Sequence, residues 1–373
     1  MDVRHTDGRS VRNVTGNDKH VGEVIAVGTK EGGYVQVYDD YLKETITYMH
    51  IGTPNFKPIY VKWFDEENIA VIMNNFTLET TSPDVIEKIY AYNLKNKHYA
   101  LIFEGKFLGN NWDMKFKKLL NGNFLLEGNN MALEIEKQSF KLKKIIPYPE
   151  GSYEGDSSYS QTQIAYSKEE GLYLHTIGSP SSEDTELCKY DDSKKIRPTM
   201  PLWSYDDKIL SYLLLHIENE NQNEFVFVDP ITKKQKSYIF GEATTLGWWF
   251  QDNIRFVACS AGESFGLVPI IKVINISNDQ VQDFNTTGEI EIECPPHGDQ
   301  ILYVQTDTES KSGYYPERIV NFNVVTNTSD IVTPDFLNIA SSNFSPSGNQ
   351  VLFIANSNPG EELSLYVAQK KTK

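Results

Sequence analysis

One layout recurs along this chain: a large side chain, a short polar turn, then a run of apolar residues. It is clearest in NFSPSGNQVLFIAN (343–356) and returns in VKWFDEENIAVIM (61–73), LWSYDDKILSYLL (202–214) and GWWFQDNIRFVAC (247–259). Weaker copies begin at Phe116, Ala165 and Cys294. With the residue before each turn as an anchor, Trp63, Phe116, Tyr166, Trp203, Trp248, Cys294 and Phe344 stand 53, 50, 37, 45, 46 and 50 residues apart. A mean period of about 47 residues marks a repeat architecture and constrains the fold more than composition does.

Inside a period every signal is β. The unit around Trp203 reads as four short strands, TMPLWS, KILSYLLL, EFVFVD and QKSYIF, separated by turn residues. KIYAYNL alternates and is read as a strand although the residues before it could start a helix. A four-stranded meander cannot cover both of its faces, so successive units must pack on each other and close into a ring. The expected fold is therefore all-β, a β-propeller of four-stranded antiparallel blades filling residues 1–373 as one domain. Counting EVIAVG, YVQVYD and TITYMH as a blade gives eight, with seven as the alternative. The ring is expected to close through its terminal strands, with DGRSVRNVT clasping the last unit and residues 1–19 otherwise partly disordered.

These hairpins resemble those of the TolB-like and dipeptidyl-peptidase-like propellers, a WD-repeat-like group whose blades carry W-S-P-D-G-K-x-[IL]-[AV]-[FY]. FSPSGNQVLFI and WSYDDKILSYL come nearest, and neither is an exact copy. The resemblance implies the propeller fold and a location outside the cytoplasm. It leaves function open, because such propellers serve as scaffolds, lyases and parts of peptidases.

Charge narrows the partners. The chain has 51 acidic against 35 basic residues, a net charge of −16, which repels nucleic-acid backbones and anionic lipid. No stretch of eighteen apolar residues offers a membrane span, and MDVRHTDGRS lacks the apolar core of a secretory signal. The three cysteines are widely spaced, so no zinc ribbon or disulfide framework is signalled; Cys259, inside IRFVACSA, reads as a buried small apolar residue.

No catalytic set assembles. GESFG (262–266) spells a nucleophile elbow around Ser264, but it joins two strands, and the only later histidine is His297 in a hairpin turn. The histidines occupy unequal positions within their units, so metal ligation on the ring axis is not expected. Glu289, Glu291 and Glu293 are read as a solvated outer strand face. No catalytic residue, metal or cofactor is assigned.

The loops carry the remaining signal. Connections from strand two to three are expected to be acidic, with Glu183, Asp184, Glu218, Glu220, Glu263 and Asp307, whereas three-to-four turns carry lysines such as Lys95, Lys194 and Lys233. Asp156 and the aromatics Tyr153, Tyr159, Phe265, Tyr314 and Tyr315 join the same face. The expectation is a monomeric, non-catalytic scaffold that binds a protein or peptide on this face. The alternative is a lyase or hydrolase acting on polysaccharide at the central channel, since the same rings can stack on sugars.

Overall fold

The hairpin at 343–356 is built as its sequence suggests. Ser345 N–H donates to Gln350 O (2.8 Å) and Gly348 N–H to Ser345 O (2.8 Å), with Gly348 at φ 71°. A Cβ on Gly348 would stand 2.2 Å from the His297 ring of the preceding unit, so both conformation and space require glycine. The same turn recurs around Ser158 and Ser204, where Gln161 and Asp207 take the positive φ.

The computed structural model describes residues 56–370 except 76–84, 97, 108–113, 129–130, 220–221, 242–246, 261–268, 293, 308–314, 334 and 357–363, together with the backbone of the strands Val3–Arg4, Ser10–Val11, Val24–Ala26 and Tyr34–Tyr38. Seven antiparallel sheets form the propeller ring. Blades 1 to 6 span 57–105, 115–147, 154–189, 196–239, 248–285 and 289–331, each with its four strands in sequence order. Blade 7 takes Asn338–Phe344, Gln350–Asn356 and Ser364–Lys370, then borrows Tyr34–Tyr38, which pairs antiparallel with Ser364–Lys370. Val24–Ala26 adds a fifth strand outside it.

The ring thus holds seven blades, and the N-terminal strands counted toward an eighth belong instead to the sheet of the last. The strand that closes blade 7 is YVQVY rather than DGRSVRNVT, of which Ser10–Val11 pairs with Val3–Arg4. TITYMH lies outside the described residues. KIYAYN is a strand as expected (Glu87–Asn93), and Cys259 is fully buried. No described helix is long and apolar enough to cross a membrane.

The apolar core lies between blades. Phe64, Ile72 and Ile89 of blade 1 pack on Phe124, Leu126 and Leu133 of blade 2, and Trp203 and Leu210 of blade 4 pack on Ala165 and Leu172 of blade 3. The largest cluster joins blades 4, 5 and 6 around Phe225, Trp249, Phe256 and Tyr303. Burying each large side chain contributes about 1.5–3 kcal/mol, so blade interfaces rather than isolated sheets hold the fold. The anchor tryptophans also reach across: Trp248 Nε1 donates to Ile292 O (3.1 Å) and Trp249 Nε1 to Leu202 O (3.2 Å).

Turn side chains latch neighbouring hairpins. Asp207 accepts the N–H groups of Tyr159 (2.6 Å) and Ser160 (2.8 Å), and Glu66 of blade 1 accepts that of Ser347 in blade 7 (2.6 Å). At the same seam Asn343 Nδ2 donates to Val61 O (2.5 Å) in a buried setting. Replacing Asn343 with Ala leaves that carbonyl without its donor, and the expected loss in urea-unfolding stability is about 1–3 kcal/mol. An unchanged midpoint would mean that the seam is held elsewhere.

Candidate functional site

Blades 2 and 3 bring charged side chains together against the inner strand of blade 4. Lys115 and Lys117 alternate on Lys115–Lys118, Asp156 lies on Glu154–Ser157, and Glu127 ends Phe124–Glu127. All four are buried, Asp156 completely. Lys117 Nζ reaches Asp156 Oδ2 at 2.6 Å and Glu127 Oε2 at 3.1 Å, and donates to Ser157 O at 2.5 Å. Lys115 Nζ donates to Gly155 O (3.1 Å) and Pro201 O (2.9 Å), with Asp156 Oδ1 at 3.3 Å. Trp203 N–H donates to Asp156 Oδ2 (2.8 Å), and Tyr148 Oη donates to Glu127 Oε1 (2.7 Å).

Two ammonium groups face two carboxylates, so the cluster is balanced and ties three blades together. Burial works against the Lys117 charge, but Asp156 and Glu127 outweigh it and hold the amine above its ordinary value. Burial, followed by the Glu127 charge, keeps the Tyr148 phenol protonated well above the usual tyrosine range. A lysine kept protonated has no lone pair to remove a proton, so Lys117 is a poor candidate for a general base. The adjoining cleft, lined by Lys115, Lys117, Tyr159, Trp203 and Trp249 among others, leaves about 10 Å³, room for about one water molecule.

This geometry moves two expected face residues inside. Asp156 serves the buried cluster. Tyr159 is also buried: its ring packs 5.0 Å from that of Tyr205, with the Lys117 ammonium 5.0 Å from its centroid. Both belong to the first strand and turn of blade 3, which the sequence reading had missed by taking Tyr166 as the anchor. Tyr166 lies on the second strand, Gln163–Lys168, and the true inner hairpin turns at 158–162.

The shift reverses the loops of blade 3. Ile177 N–H donates to Thr162 O (2.9 Å), which puts the 177–184 connection beside the inner hairpin turn. Glu183 and Asp184 therefore lie on the face opposite the one expected. Asp184 accepts from Tyr166 Oη (2.5 Å) and lies 2.7 Å from His175 Nδ1. The two-to-three tip is instead Glu169–Glu170, both exposed, and Tyr190 N–H donates to Glu170 O (2.8 Å). Lys194 and Lys195, expected on the basic rim, fall in the four-to-one connection, paired with Asp191 (3.5 Å) and Asp192 (2.6 Å).

The face formed by two-to-three and four-to-one connections, called the loop face below, holds a recognisable patch. Tyr153, half-buried, donates its hydroxyl to Lys168 O (3.1 Å). Burial first, then the Glu154 charge, with Glu169 and Glu170 adding, raises its phenol above the ordinary tyrosine value, and Arg197 opposes them. Exposed Glu150 and Asp192 share this face, as does Glu218 of the 217–223 connection. Asp307, half-buried, and Tyr315, 55% exposed, lie on the corresponding connection of blade 6. Glu220, Glu263, Ser264, Phe265 and Tyr314 are outside the described residues. The sequence reading did not select Glu169, Glu170 or Arg197; the signal for the first two was SKEEG, taken as an inner turn.

Glu289–Glu291 is the innermost strand of blade 6 rather than an outer one, and burial followed by the charges of Glu291 and Glu289 raises the Glu317 carboxyl. His98, His175, His216 and His297 stand on different parts of different blades. Among the described residues no three His, Cys, Asp or Glu side chains come together closely enough to hold a metal ion.

No family model matches the chain, and no curated protein does. Solved structures with the same architecture include an oligogalacturonate lyase in complex with manganese, with a TM-score of 0.61 at 11% identity over 94% of this chain and 97% of that one. The oligogalacturonate lyase of Vibrio parahaemolyticus follows at 0.57 and 11%, over 94% and 98%. TolB of Acinetobacter baumannii aligns at 0.42 and 14%, over 82% and 80%. The chain shares the propeller fold of the two lyases, and at such identities the likeness is one of fold.

Removing Asp156 strands two buried ammonium groups, so Asp156→Ala is expected to cost about 3–5 kcal/mol in urea unfolding. The double variant Lys117→Met with Asp156→Leu should recover much of that loss; failure to do so would show that the charges are not simply mutual partners. The sign for pH follows from the raised Lys117 value. Its contribution is complete below the ordinary 10.5 and disappears as pH rises through the higher folded-state value, so Lys117→Met should flatten alkaline unfolding.

Proposed function

We propose that this propeller is a non-catalytic binding protein and that its loop face takes a cationic protein or peptide segment. The observation that carries the reading is the exposed pair Glu169–Glu170 beside half-buried Tyr153, within a chain of net charge −16. A phenol ring offers contact area at low entropic cost, and uncompensated carboxylates attract and orient a cation. The charged groups near the channel support the same reading from the other side, because they are engaged with each other. A location outside the cytoplasm belongs to this proposal, and fractionation of the native host tests it.

The second reading is a lyase, favoured by the whole-chain likeness to an oligogalacturonate lyase whose structure contains manganese. The described residues do not supply a donor set that suits such an ion, and no step is derived through one.

Fluorescence anisotropy with a lysine-rich peptide at low salt tests the first reading. Wild type is expected to bind, to weaken as salt rises, and to lose about tenfold in affinity when Glu169, Glu170 and Glu218 become Gln. Binding unaffected by these substitutions would contradict the loop-face reading. Incubation with oligogalacturonides and manganese should give no unsaturated product by ultraviolet absorbance, and its appearance would transfer the case to the enzyme.

A further inference from the structure

Three arginine side chains are described, and two are paired. Arg255 meets Asp252 (2.5 Å) and Asp299 (2.8 Å), while Arg318 donates to Gln305 Oε1 (3.0 Å) and lies 4.0 Å from Asp335. Arg197 differs. It is half-buried near the start of Ile196–Trp203, the first strand of blade 4, and its guanidinium lies 5.5 Å from the Tyr190 ring centroid. Its Nε is buried and has no hydrogen-bond partner, and among the described residues the group enters no ion pair. A guanidinium has five N–H donors in a planar fork that matches a carboxylate, and the buried Nε–H left without an acceptor is unfavourable.

The neighbouring carboxylates do not supply the missing partner. One Glu154 oxygen already accepts from Thr199 Oγ1 and from Met200 N–H (2.7 Å). Glu169 and Glu170 are exposed on the two-to-three tip, close enough to influence Tyr153 together with Arg197. The loop face therefore carries a cation without an ion-pair partner against the Tyr190 ring and two exposed anions, all three within electrostatic reach of Tyr153. That arrangement complements a ligand with the opposite order, a carboxylate a short distance from cationic groups.

We propose that Arg197, flanked by Tyr190 and Tyr153, is the carboxylate subsite of the loop face, and that its ligand is the C-terminal end of a basic peptide. The terminal carboxylate lies on the guanidinium fork, and Lys or Arg side chains of the peptide face Glu169 and Glu170. This inference rests on the loop-face reading and adds to it the polarity of the bound segment.

The test uses two fluorescein-labelled peptides of one sequence ending in Lys-Lys, one with a free C-terminal carboxylate and one amidated. Wild type is expected to bind the free acid about tenfold or more tighter than the amide. Arg197→Gln should bind both at the level of the amide, and Arg197→Lys should keep part of the preference, each with a thermal midpoint near that of wild type. Equal binding of acid and amide by wild type overturns the carboxylate subsite; if Glu169→Gln with Glu170→Gln still weakens both, the loop-face reading survives. If wild type binds neither peptide, both fall. A galacturonate oligomer held by wild type but not by Arg197→Gln, with no peptide bound, would overturn the peptide and assign the subsite to an acidic sugar.

Discussion

A four-stranded sheet made of these sequences is apolar on both faces, and only another blade can cover each one. Phe225, Trp249 and Phe256 have no burial except between neighbouring sheets, so the ring must close for any blade to be stable. Closure falls to blade 7, whose fourth strand comes from the other end of the chain. The buried charges follow from the same constraint. Lys115 and Lys117 on one inner strand would be unfavourable alone, and they persist because the next blade presents Asp156 at hydrogen-bonding distance and the one after it adds the Trp203 amide.

This division of labour bears on function. Polar groups near the channel hold blades together, and Asp156 and Glu127 keep Lys117 protonated, which leaves that amine unsuited to removing a proton. The loops experience no such packing demand. Glu169, Glu170 and Glu218 are exposed on connections, and Arg197, near the start of the strand Ile196–Trp203, has no hydrogen-bond or ion-pair partner among the described residues, so the proposed recognition is assigned to this face. The likeness to oligogalacturonate lyases, at 11% identity, is one of fold.

The hairpins at Trp63, Trp203 and Phe344 were legible because each sets a large ring before a tight polar turn where its inner strand meets the next. The strands around Trp203 could be read nearly residue by residue for the same reason. Blade 3 was not, because its inner hairpin places Ser157 and Ser158 where other blades have an aromatic, while Tyr166 and SKEEG imitate the motif one strand later. That slip exchanged the two faces of the blade, sending Glu183 to the wrong side and concealing Glu169 and Glu170. Asp156 and Tyr159 were misjudged for a different reason: composition marks a residue as polar or aromatic, but only a partner such as Lys117, on a strand some forty positions away, decides that it is buried. Blade number depended on pairing between chain ends, which local periodicity does not contain.

Hydrogen–deuterium exchange, with and without a lysine-rich peptide, tests most directly whether recognition belongs to the loops. The account predicts slower exchange on binding at 148–153, 169–170 and 190–197, with the inner strands Lys115–Lys118 and Glu154–Ser157 unchanged. Protection centred on those inner strands, with the loops unaffected, would place the ligand in the channel and contradict it.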